Sequence, residues 1–460
     1  MTHTVRLAAF SLFSLSSMAP ALPAVAASMD APVAAATAPA VAPAPMSGDF
    51  TILVGGDLLG PYRTSLDMVP ERMRPVVDLI RKSDATFANQ EGNSFDLTTF
   101  SGAMAAENGG GYPLQPLETM RALKGLGINL VSRANNHSLD WGEQGLRDSD
   151  FALTAIGITH AGTGQSLVEA RKASILNTGH GTVALIATAS TFPGMAPAGD
   201  PGRGAGPRPG LNPLHVEPVF NVSASEMKAL ADIARRGGWQ GYDVPPAGEP
   251  VHEVHLNDTL YRVSDKPGLS YDVSEVDRKA LLGAVTDAAK RANLVLFSIH
   301  AHETLSGAYE DPAPADFLPP LFHDAIDAGA SVVVRHGPHA TQGIEIYKGR
   351  PIFYGTGHFF FELPRTLTIP SAGPNKQTVT FPDNWWDSTL ASLHYVNGKL
   401  KQIRVYPIEL LSADGPDKGV PTLASGEKAR AILGELARRS AAFGTSVRIE
   451  GETGVIDIPA

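Results

Sequence analysis

The sequence contains no cysteine in its 460 residues. Thiolate metal sites and disulfide bonds are therefore excluded, and the stability of the chain must come from its core, which a chain of this length can form. The sequence also has no excess of positive charge, since its formal net charge is -10. Because nucleic acids and anionic membranes are bound through basic patches, neither is expected as the main partner.

The sequence also lacks motifs that would indicate other chemistries. It has no glycine-rich loop that would cradle phosphate, no Gly-x-Ser-x-Gly nucleophile elbow and no internal repeat. Hydrophobic residues make up 43% of the chain and charged residues 18%. This composition predicts a folded protein with one large α/β domain or two domains.

The N-terminal region has the pattern of an export signal. Arg6 supplies a positive charge, an apolar run follows over Leu7–Met18, and small residues ending at Ala26 form a cleavage site. The apolar run is shorter than the roughly 20 residues that span a bilayer, so a retained anchor is the less favoured alternative. We predict a signal peptide over residues 1–26, an Ala/Pro-rich linker over 27–48, and a periplasmic or cell-surface location.

Residues 49–362 alternate short β-rich runs with helical patterns, which is typical of an α/β domain. Phe50–Val54 is an apolar strand, residues 70–82 have helical spacing, and Ala85–Ala88 is again a strand. The same alternation resumes after residue 270. We therefore predict that these strands form a sheet with helices packed on it.

Residues 191–270 interrupt this alternation. A Gly/Pro-rich loop over Thr191–Pro213 is followed by one helix around Ser225–Arg236 and by a polar stretch that is predicted to be poor in strands. A segment of that length without clear periodicity is usually a functional lid or an insertion. Residues 363–460 are predicted to add C-terminal strands and a helix that complete the fold.

Five short polar motifs lie at the ends of predicted strands. The motifs are Gly56-Asp57, Asn89-Gln90-Glu91, Asn135-Asn136-His137, His300-Ala301-His302 and His336-Gly337-Pro338-His339. In open α/β sheets, ligands bind beyond the carboxyl ends of the strands. Carboxylates, side-chain amides and neutral imidazoles together suit divalent ions such as Zn, Mn, Fe or Mg. Singly, Asp57 has an alternative role as a helix N-cap and Asn135 as a turn residue, but the set together predicts a metal centre.

The ordered set of motifs resembles the bacterial capsule-synthesis protein CapA family, also called PgsA-like. The most specific piece is Ala134–Asp140, and the resemblance covers about residues 50–362. It implies a calcineurin-like metallophosphatase fold, which is a four-layer αββα sandwich. It also implies a role in the synthesis, export or cell-surface anchoring of a poly-γ-glutamate capsule.

The resemblance further implies roles for individual residues. Asp57 would bind one metal, Glu91 takes the place of the bridging aspartate of metallophosphatases, and Asn136 with His137 matches their Asn-His motif. The later histidines would complete the site. The metal ligands that the resemblance implies are Asp57, Glu91, Asn136, His300, His336 and His339.

Two departures from the family pattern leave the metal content open. Metallophosphatases usually carry Asp-x-His after the first strand, but here Asp57 is followed by Leu58 and Leu59. The last motif has two residues between His336 and His339 rather than one. Two divalent ions, one ion and none are therefore all compatible with the sequence.

Candidate catalytic residues accompany the metal motifs. A bound divalent ion lowers the pKa of a water molecule and polarises a scissile carbonyl or phosphoryl group, which predicts hydrolysis. His137, supported by the carboxylate of Asp140, is the candidate general acid. Without metal, the same histidines beside Glu303 are candidates for general acid and base work. His358 either lies near the site or fills a loop.

Three arginines are candidate substrate contacts. A guanidinium pairs bidentately with carboxylates, and a polyglutamate chain presents many of them. Arg203 and Arg208 lie in the Gly/Pro-rich loop, where a solvated loop is the structural alternative, and Arg335 directly precedes His336. Arg335 is the better candidate if its side chain faces the cleft.

The sequence leaves three functions open. The first is a metal-dependent hydrolase that acts on amide bonds of a γ-glutamyl polymer or on a phosphoester. The second is a non-catalytic accessory that holds the polymer during export, which the missing imidazole after Asp57 favours. The third is a metal-free catalyst that modifies peptides. The expected partners are an anionic polymer or peptide and capsule-synthesis membrane proteins, with no nucleic acid.

Overall fold

The computed structural model describes residues 42–60, 71–237, 248–256, 259–369, 377–412, 415 and 417–458. The predicted signal peptide and most of the predicted linker lie outside the described residues. Val41–Ala460 forms one compact unit. Within the described part of the chain, no helix has the length and apolar character needed to cross a membrane.

The protein is a mixed α/β structure with two large sheets. The strands of the ten-stranded sheet are Asp49–Leu59, Ala85–Asn89, Leu130–Ser132, Thr159–Ala161, His358–Phe361, Asp387–Val396, Lys399–Leu410, Pro421–Leu423, Arg448–Glu450 and Thr453–Asp457. The strands of the six-stranded sheet are Ser174–Asn177, Thr182–Ala189, Leu294–His300, Val332–His336, Ile344–Tyr347 and Arg350–Phe353. The prediction of an α/β protein is confirmed.

Eight α-helices lie within the described residues. They are Arg74–Arg81, Leu117–Leu126, Gly142–Ile156, Leu167–Ala170, Ala224–Gly237, Glu275–Ala289, Leu318–Asp327 and Gly426–Ala441. Short 3-10 helices cover Glu71–Met73 and Asp383–Trp386. Three two-stranded pairs are Asn93–Ser94 with Leu114–Gln115, Thr163–Gly164 with Gly210–Leu211, and Thr366–Ile369 with Gln377–Thr380.

Each large sheet uses its two faces differently. In the strand Asp49–Leu59, Ile52 belongs to an apolar cluster shared with the six-stranded sheet, whereas its neighbour Leu53 packs with helix residues. In the strand Leu294–His300, Leu296 belongs to the shared cluster and Phe297 packs with helix residues. Successive strand residues point to opposite faces, so this alternation follows from the sequence. The two sheets therefore share one core, and helices cover further apolar residues of each.

The strands that carry the polar motifs run parallel to their neighbours. Asp49–Leu59 pairs in parallel with Ala85–Asn89, which pairs in parallel with Leu130–Ser132. Leu294–His300 and Val332–His336 are likewise parallel, with His300 opposite His336. Parallel strands end at the same edge of their sheet, so the fold delivers the motifs in two groups, one from each sheet.

The inserted segment contains more strands than the sequence predicts. Val216–Val222, Glu253–Leu256, Thr259–Val263 and Gly268–Val273 form a four-stranded sheet, which we call the insert sheet, and helix Ala224–Gly237 packs against it. The prediction of a stretch poor in strands was wrong. Many side chains of these strands are exposed or half-buried, so the apolar period that marks a strand is weak.

Candidate metal centre

The first motif depends on a close approach between two backbones. A Cβ on Gly56 would lie 1.7 Å from the carbonyl oxygen of Gly357, so only glycine fits there. The approach lets the amide of Asp57 donate to the same carbonyl at 3.1 Å. It also pairs Asp57 with His358 across parallel strands. The Gly-Asp dipeptide therefore fixes the position of the Asp57 carboxylate.

The buried Asp57 carboxylate lies between groups from both sheets. Its Oδ1 accepts a hydrogen bond from Nδ2 of Asn89 at 2.8 Å and lies 3.8 Å from Nδ1 of His336. Its Oδ2 lies 3.1 Å from Nδ1 of His339 and accepts from the amide of Gly337 at 3.4 Å. The two oxygens thus face two different histidines.

The other histidines form a chain of short contacts. Nδ1 of His300 lies 2.9 Å from Nδ1 of His336, and Nε2 of His300 lies 2.8 Å from Nε2 of His302. Nε2 of His336 lies 2.7 Å from the hydroxyl of Ser298. His339 adopts a left-handed backbone conformation with φ 54°, which is uncommon for a residue other than glycine. Such conformations cluster at functional sites.

Three sets of side chains bring potential ligand atoms within 4.8 Å of one another. Every set contains a carboxylate and two imidazoles, and two of the sets share Asp57 while two share His300. The sets are Asp57 with His300 and His336, Asp57 with His339 and His358, and Glu91 with His300 and His302. Buried clusters that could hold a metal ion are therefore present at the predicted position.

Several buried acceptors in these motifs have no hydrogen-bond partner. Both carboxylate oxygens of Glu91, Oδ1 of Asn136 and Nε2 of His358 are buried and unpartnered. Buried polar atoms are nearly always satisfied, and an orphaned carboxylate costs more than a neutral group. Oxygen and imidazole donors of this kind are what Zn, Mn or Fe take in proteins, so the residues present fit a divalent cation.

Burial keeps the site histidines uncharged. It lowers the pKa of His336 to about 4 and those of His339 and His358 to about 3. Burial, reinforced by the neighbouring histidines, also holds the pKa of His300 and of His302 well below the usual value. Neutral imidazoles offer a lone pair at neutral pH, which is the form that binds metal.

The carboxyl groups experience the opposite effect. Burial, followed by the negative charges of Asp57 and Asp140, raises the pKa of Glu91 well above its usual value. Burial also raises the pKa of Asp140, although its hydrogen bond with His137 works against that change. Burial in this site therefore disfavours the ionised carboxyl groups, and a divalent cation would offset the charge of those ionised forms.

His137 and Asp140 form the predicted pair. Nδ1 of His137 lies 2.6 Å from Oδ2 of Asp140, and Oδ1 of Asp140 accepts from the amide of Gly109 at 2.8 Å. Nδ2 of Asn136 donates to the carbonyl of Gly109 at 2.7 Å. The contact at Nδ1 orients the imidazole and leaves Nε2 for proton transfer. A positive charge on His137 would lower the pKa of His339, which places the two rings in one electrostatic environment.

The predicted substrate contacts are placed differently. The buried guanidinium of Arg335 donates to the carbonyls of Ala301 and Glu303, both at 2.9 Å. Arg203 and Arg208 are exposed in the Gly/Pro-rich loop, and Nε of Arg208 donates to the backbone of the same loop. Arg335 thus supports the segment that carries His302. Substrate binding by the three arginines stays a prediction.

Glu303 is tied to the start of the inserted segment. Its carboxylate accepts from the hydroxyl of Ser190 at 2.7 Å and from that of Thr191 at 2.9 Å. The amide of His302 donates to the same Thr191 hydroxyl at 2.9 Å. A catalytic role for Glu303 stays a prediction.

Three residues of the cluster were outside the predicted ligand set. Asn89 orients Asp57 and accepts from Nδ2 of Asn135 at 3.1 Å, while His302 and His358 belong to the possible ligand sets. The His-x-His spacing gave a signal for His302, although the strand ends at His300 and His302 lies just beyond it. For His358 the sequence left open a position near the site or a place in a loop, and the parallel pairing of its strand brings it beside Asp57.

The fold and this cluster define a class: a mixed α/β protein with histidines and carboxylates buried beyond the strand ends of two sheets. The chain belongs to the bacterial capsule synthesis protein PGA_cap family, whose model matches residues 51–363. The family resemblance predicted from the motifs is therefore confirmed. The protein is thus a CapA-like member of a capsule biosynthesis family.

Three similar proteins match this chain over different shares of its length. Uncharacterized protein y4sH of Sinorhizobium fredii is 35% identical over 439 residues, which cover 88% of this chain and 93% of that protein. PGA biosynthesis protein CapA of Bacillus subtilis is 24% identical over 55% of this chain and 48% of its own length. Probable polyglutamine synthesis accessory protein of Mycobacterium tuberculosis is 27% identical over 54% of this chain and 48% of its own length. The last two matches thus cover about half of each chain.

Proposed function

We propose that this protein is an exported, metal-dependent hydrolase that acts on amide or phosphoester bonds in the synthesis or processing of poly-γ-glutamate. The observation that carries the proposal is the buried set of histidines and carboxylates in which both oxygens of Glu91 lack a partner. The Bacillus relative is named a PGA biosynthesis protein and the Mycobacterium relative a polyglutamine synthesis accessory protein, and both names support a role in polymer synthesis. Export rests on the predicted signal peptide over residues 1–26.

The proposed architecture is the four-layer αββα sandwich of metallophosphatases, with residues 49–362 as the main domain and 363–460 completing it. The core shared by the two sheets and the helices packed with each of them support this proposal. Two parallel groups of strands then present their carboxyl ends to one cleft. That arrangement is how open α/β sheets form ligand sites.

We propose that the inserted segment acts as a lid over this cleft. Both ends of the segment are tied to the loop after His300. Ser190 and Thr191 donate to Glu303 at one end, and the hydroxyl of Tyr271 donates to the carbonyl of Thr304 at 3.1 Å at the other. A movement of the insert sheet would therefore be transmitted to the segment that carries His302.

The residues divide the proposed reaction between them. When bound, a divalent ion supplies an activated water molecule and polarises the scissile group. Asp57, Glu91, His300, His336 and His339, with the amide oxygen of Asn136, would hold that ion. His137 donates a proton to the leaving group, and Asp140 keeps its Nδ1 engaged. Arg335 positions the backbone of Ala301 and Glu303, and Arg203 and Arg208 would attract carboxylates of the polymer.

A polymer-binding accessory without catalysis is the second candidate. Leu58 and Leu59 follow Asp57, so the first motif supplies no imidazole of its own. The Mycobacterium relative is also named an accessory protein of synthesis. In this case the site would bind the anionic polymer, alongside membrane proteins of capsule synthesis, and would not cut it.

A metal-free acid and base catalyst is the third candidate. A neutral imidazole has one donor and one acceptor, so the chain from His302 through His300 and His336 to Ser298 closes without a metal. That chain leaves the oxygens of Glu91 without a partner, which is why the metal-dependent reaction is preferred.

The experiment that separates the three functions is an assay of the purified chain, stripped of metal and then supplied with Zn, Mn or Fe. The substrates are poly-γ-glutamate, a γ-glutamyl peptide and a generic phosphodiester. Cleavage that appears only with metal supports the hydrolase. Polymer binding without cleavage under every metal condition favours the accessory, and cleavage that survives chelation favours the metal-free catalyst.

The pair of His137 and Asp140 gives a first prediction. Asp140 accepts from two donors, the amide of Gly109 and Nδ1 of His137, whereas asparagine has a single acceptor oxygen. Asp140→Asn should therefore place an amide group against one donor and disturb the tautomer of His137. We expect turnover to fall about 10- to 100-fold, as for other carboxylates that orient a histidine.

The matched control for Asp140→Asn is Asp148→Asn on helix Gly142–Ile156, where the carboxylate accepts from Gln144. This change should leave turnover within about twofold of the wild type, because a surface substitution has little effect. Equal turnover in the Asp140→Asn variant and the wild type would remove Asp140 from the mechanism.

A further inference from the structure

His358 is a buried histidine with one nitrogen in use and one that is free. Its Nδ1 lies 2.9 Å from the carbonyl oxygen of Trp385, which can only accept a hydrogen bond. Nδ1 therefore carries the proton, and Nε2 carries the lone pair. That Nε2 is buried and has no partner. Metal-binding histidines commonly donate their second nitrogen to a backbone carbonyl in this way.

The free nitrogen belongs to a residue beside Asp57. His358 begins a strand that is parallel to Asp49–Leu59, with His358 opposite Asp57 in the register. Its amide is held by the hydroxyl of Ser388 at 2.8 Å, so the backbone is fixed at this point. Potential ligand atoms of Asp57, His339 and His358 all lie within 4.8 Å of one another.

The surroundings of His358 favour a neutral imidazole that binds a metal over a protonated imidazole. Its ring stacks on those of His339 and Phe361, with centroids 4.6 Å and 4.0 Å away, and Trp385 lies 5.6 Å away. An aromatic shell of this kind excludes water, so the lone pair of Nε2 has no solvent to bind. A structural histidine would leave that lone pair unsatisfied at a cost in free energy.

We propose that Asp57, His339 and His358 form a second divalent-cation subsite. This inference rests on the metal centre of the proposed function. In this subsite His358 supplies the imidazole that the first motif lacks. Asp57 bridges the two subsites, because its Oδ1 faces His336 and its Oδ2 faces His339. Of the residues proposed to hold the metal, Asp57, His300 and His336 would form the first subsite, and His339 would belong to the second. Two cations that share a carboxylate can hold both the attacking and the leaving oxygen of a displacement.

The test is metal binding by full-length wild type and by the His358→Phe variant, which keeps an aromatic ring but has no ring nitrogen. Isothermal titration with Mn²⁺ or Zn²⁺ and metal analysis give the stoichiometry without reference to activity. We expect two equivalents for the wild type and one for His358→Phe, with the second site weakened more than about tenfold.

The control is His323→Phe, because His323 is a half-buried histidine that stacks on Tyr347 and pairs with Glu345 away from the cluster. The His323→Phe variant should still bind two equivalents of metal. Two equivalents in His358→Phe would overturn the second subsite and leave the hydrolase intact. If the wild type binds one equivalent and His358→Phe binds one as well, the second subsite is likewise overturned and the hydrolase stays intact. If the wild type binds no metal, both proposals are overturned.

A measurement on the wild-type protein tests the second subsite even if the His358→Phe variant does not fold. Wild-type crystals soaked in Mn²⁺ or Zn²⁺ and measured at the metal edge should show an anomalous peak about 2.1 Å from Nε2 of His358. A peak at Asp57, His300 and His336 with none at His358 would reject the second subsite alone.

Discussion

Asp57→Asn should abolish metal binding and hydrolysis. The buried carboxylate belongs to two of the three possible ligand sets, so its loss removes a ligand and a negative charge from both. Affinity should fall by more than about 100-fold, since even residues that only orient ligands cost 10- to 100-fold. Because the ion contributes several kcal/mol to the transition state, turnover should fall at least about 1000-fold.

The stability of Asp57→Asn should respond to metal in a diagnostic way. Without metal, the variant should unfold at a temperature close to that of the wild type, because the removal of a buried charge is offset by an amide group placed against one of the donors Asn89 and Gly337. Added Mn²⁺ or Zn²⁺ should stabilise the wild type and leave the variant unchanged. Thermal unfolding with chelator and with metal measures both effects.

Asp49→Asn is the matched control for Asp57→Asn. Asp49 is the exposed first residue of the same strand and pairs with His394 at 3.1 Å. Its replacement should preserve metal binding, turnover and the metal-dependent rise in unfolding temperature. Full metal stabilisation in Asp57→Asn would contradict the proposed site.

The metal-free protein should lose stability steeply below pH 6.5. Burial lowers the pKa of His336 from 6.5 to about 4, and that of His339 and His358 to about 3. Between pH 6.5 and these values the unfolded chain binds protons that the folded chain does not. Stability is therefore present above pH 6.5 and is lost as the pH falls, by about 3 kcal/mol per histidine at pH 4.

Glu91 acts in the opposite direction over part of this range. Its pKa is raised in the folded protein, chiefly by burial, so folding is favoured as the pH falls through that value. Asp140, whose pKa is also raised by burial, acts in the same direction as Glu91, but these two carboxyl groups oppose five histidines with lowered pKa values, and the net effect should be a loss of stability. Urea unfolding of the metal-free protein, in the presence of a chelator, at pH 7.5, 6 and 5 measures this change in the free energy of unfolding.

Variants assign the acid sensitivity to the site. His336→Asn should make the free energy of unfolding less dependent on pH, since one buried imidazole is removed. His394→Asn, at an exposed position, should leave the dependence unchanged. A free energy of unfolding that stays constant from pH 7.5 to 5 in metal-free wild type would show that the histidines are not buried as neutral groups.

The sequence predicted the strands that form the core because their patterns are strong. Phe50–Val54 was predicted as a strand and the strand covers Asp49–Leu59, and Ala85–Ala88 was predicted where the strand covers Ala85–Asn89. The helical spacing over residues 70–82 corresponds to the helix Arg74–Arg81. The strands of the insert sheet were not predicted because their apolar periods are weak. In this sheet, contacts between polar strands decide the structure.

The site was predictable where a motif ends a strand. Asp57, His300 and His336 follow from that rule, because parallel strands end at one edge of each sheet. The sequence could not decide between the two positions open to His358, since its place beside Asp57 depends on the register between two strands that are about 300 residues apart. The orphaned oxygens of Glu91 also appear only once the tertiary structure is known.

The metal content of the purified wild-type chain tests the central claim most directly. The chain is loaded with Zn, Mn or Fe, freed of unbound metal by gel filtration, and analysed by mass spectrometry beside Asp57→Asn. The proposed centre predicts at least one tightly held ion per wild-type chain and none in the variant. Wild-type protein that retains no more metal than Asp57→Asn would contradict it.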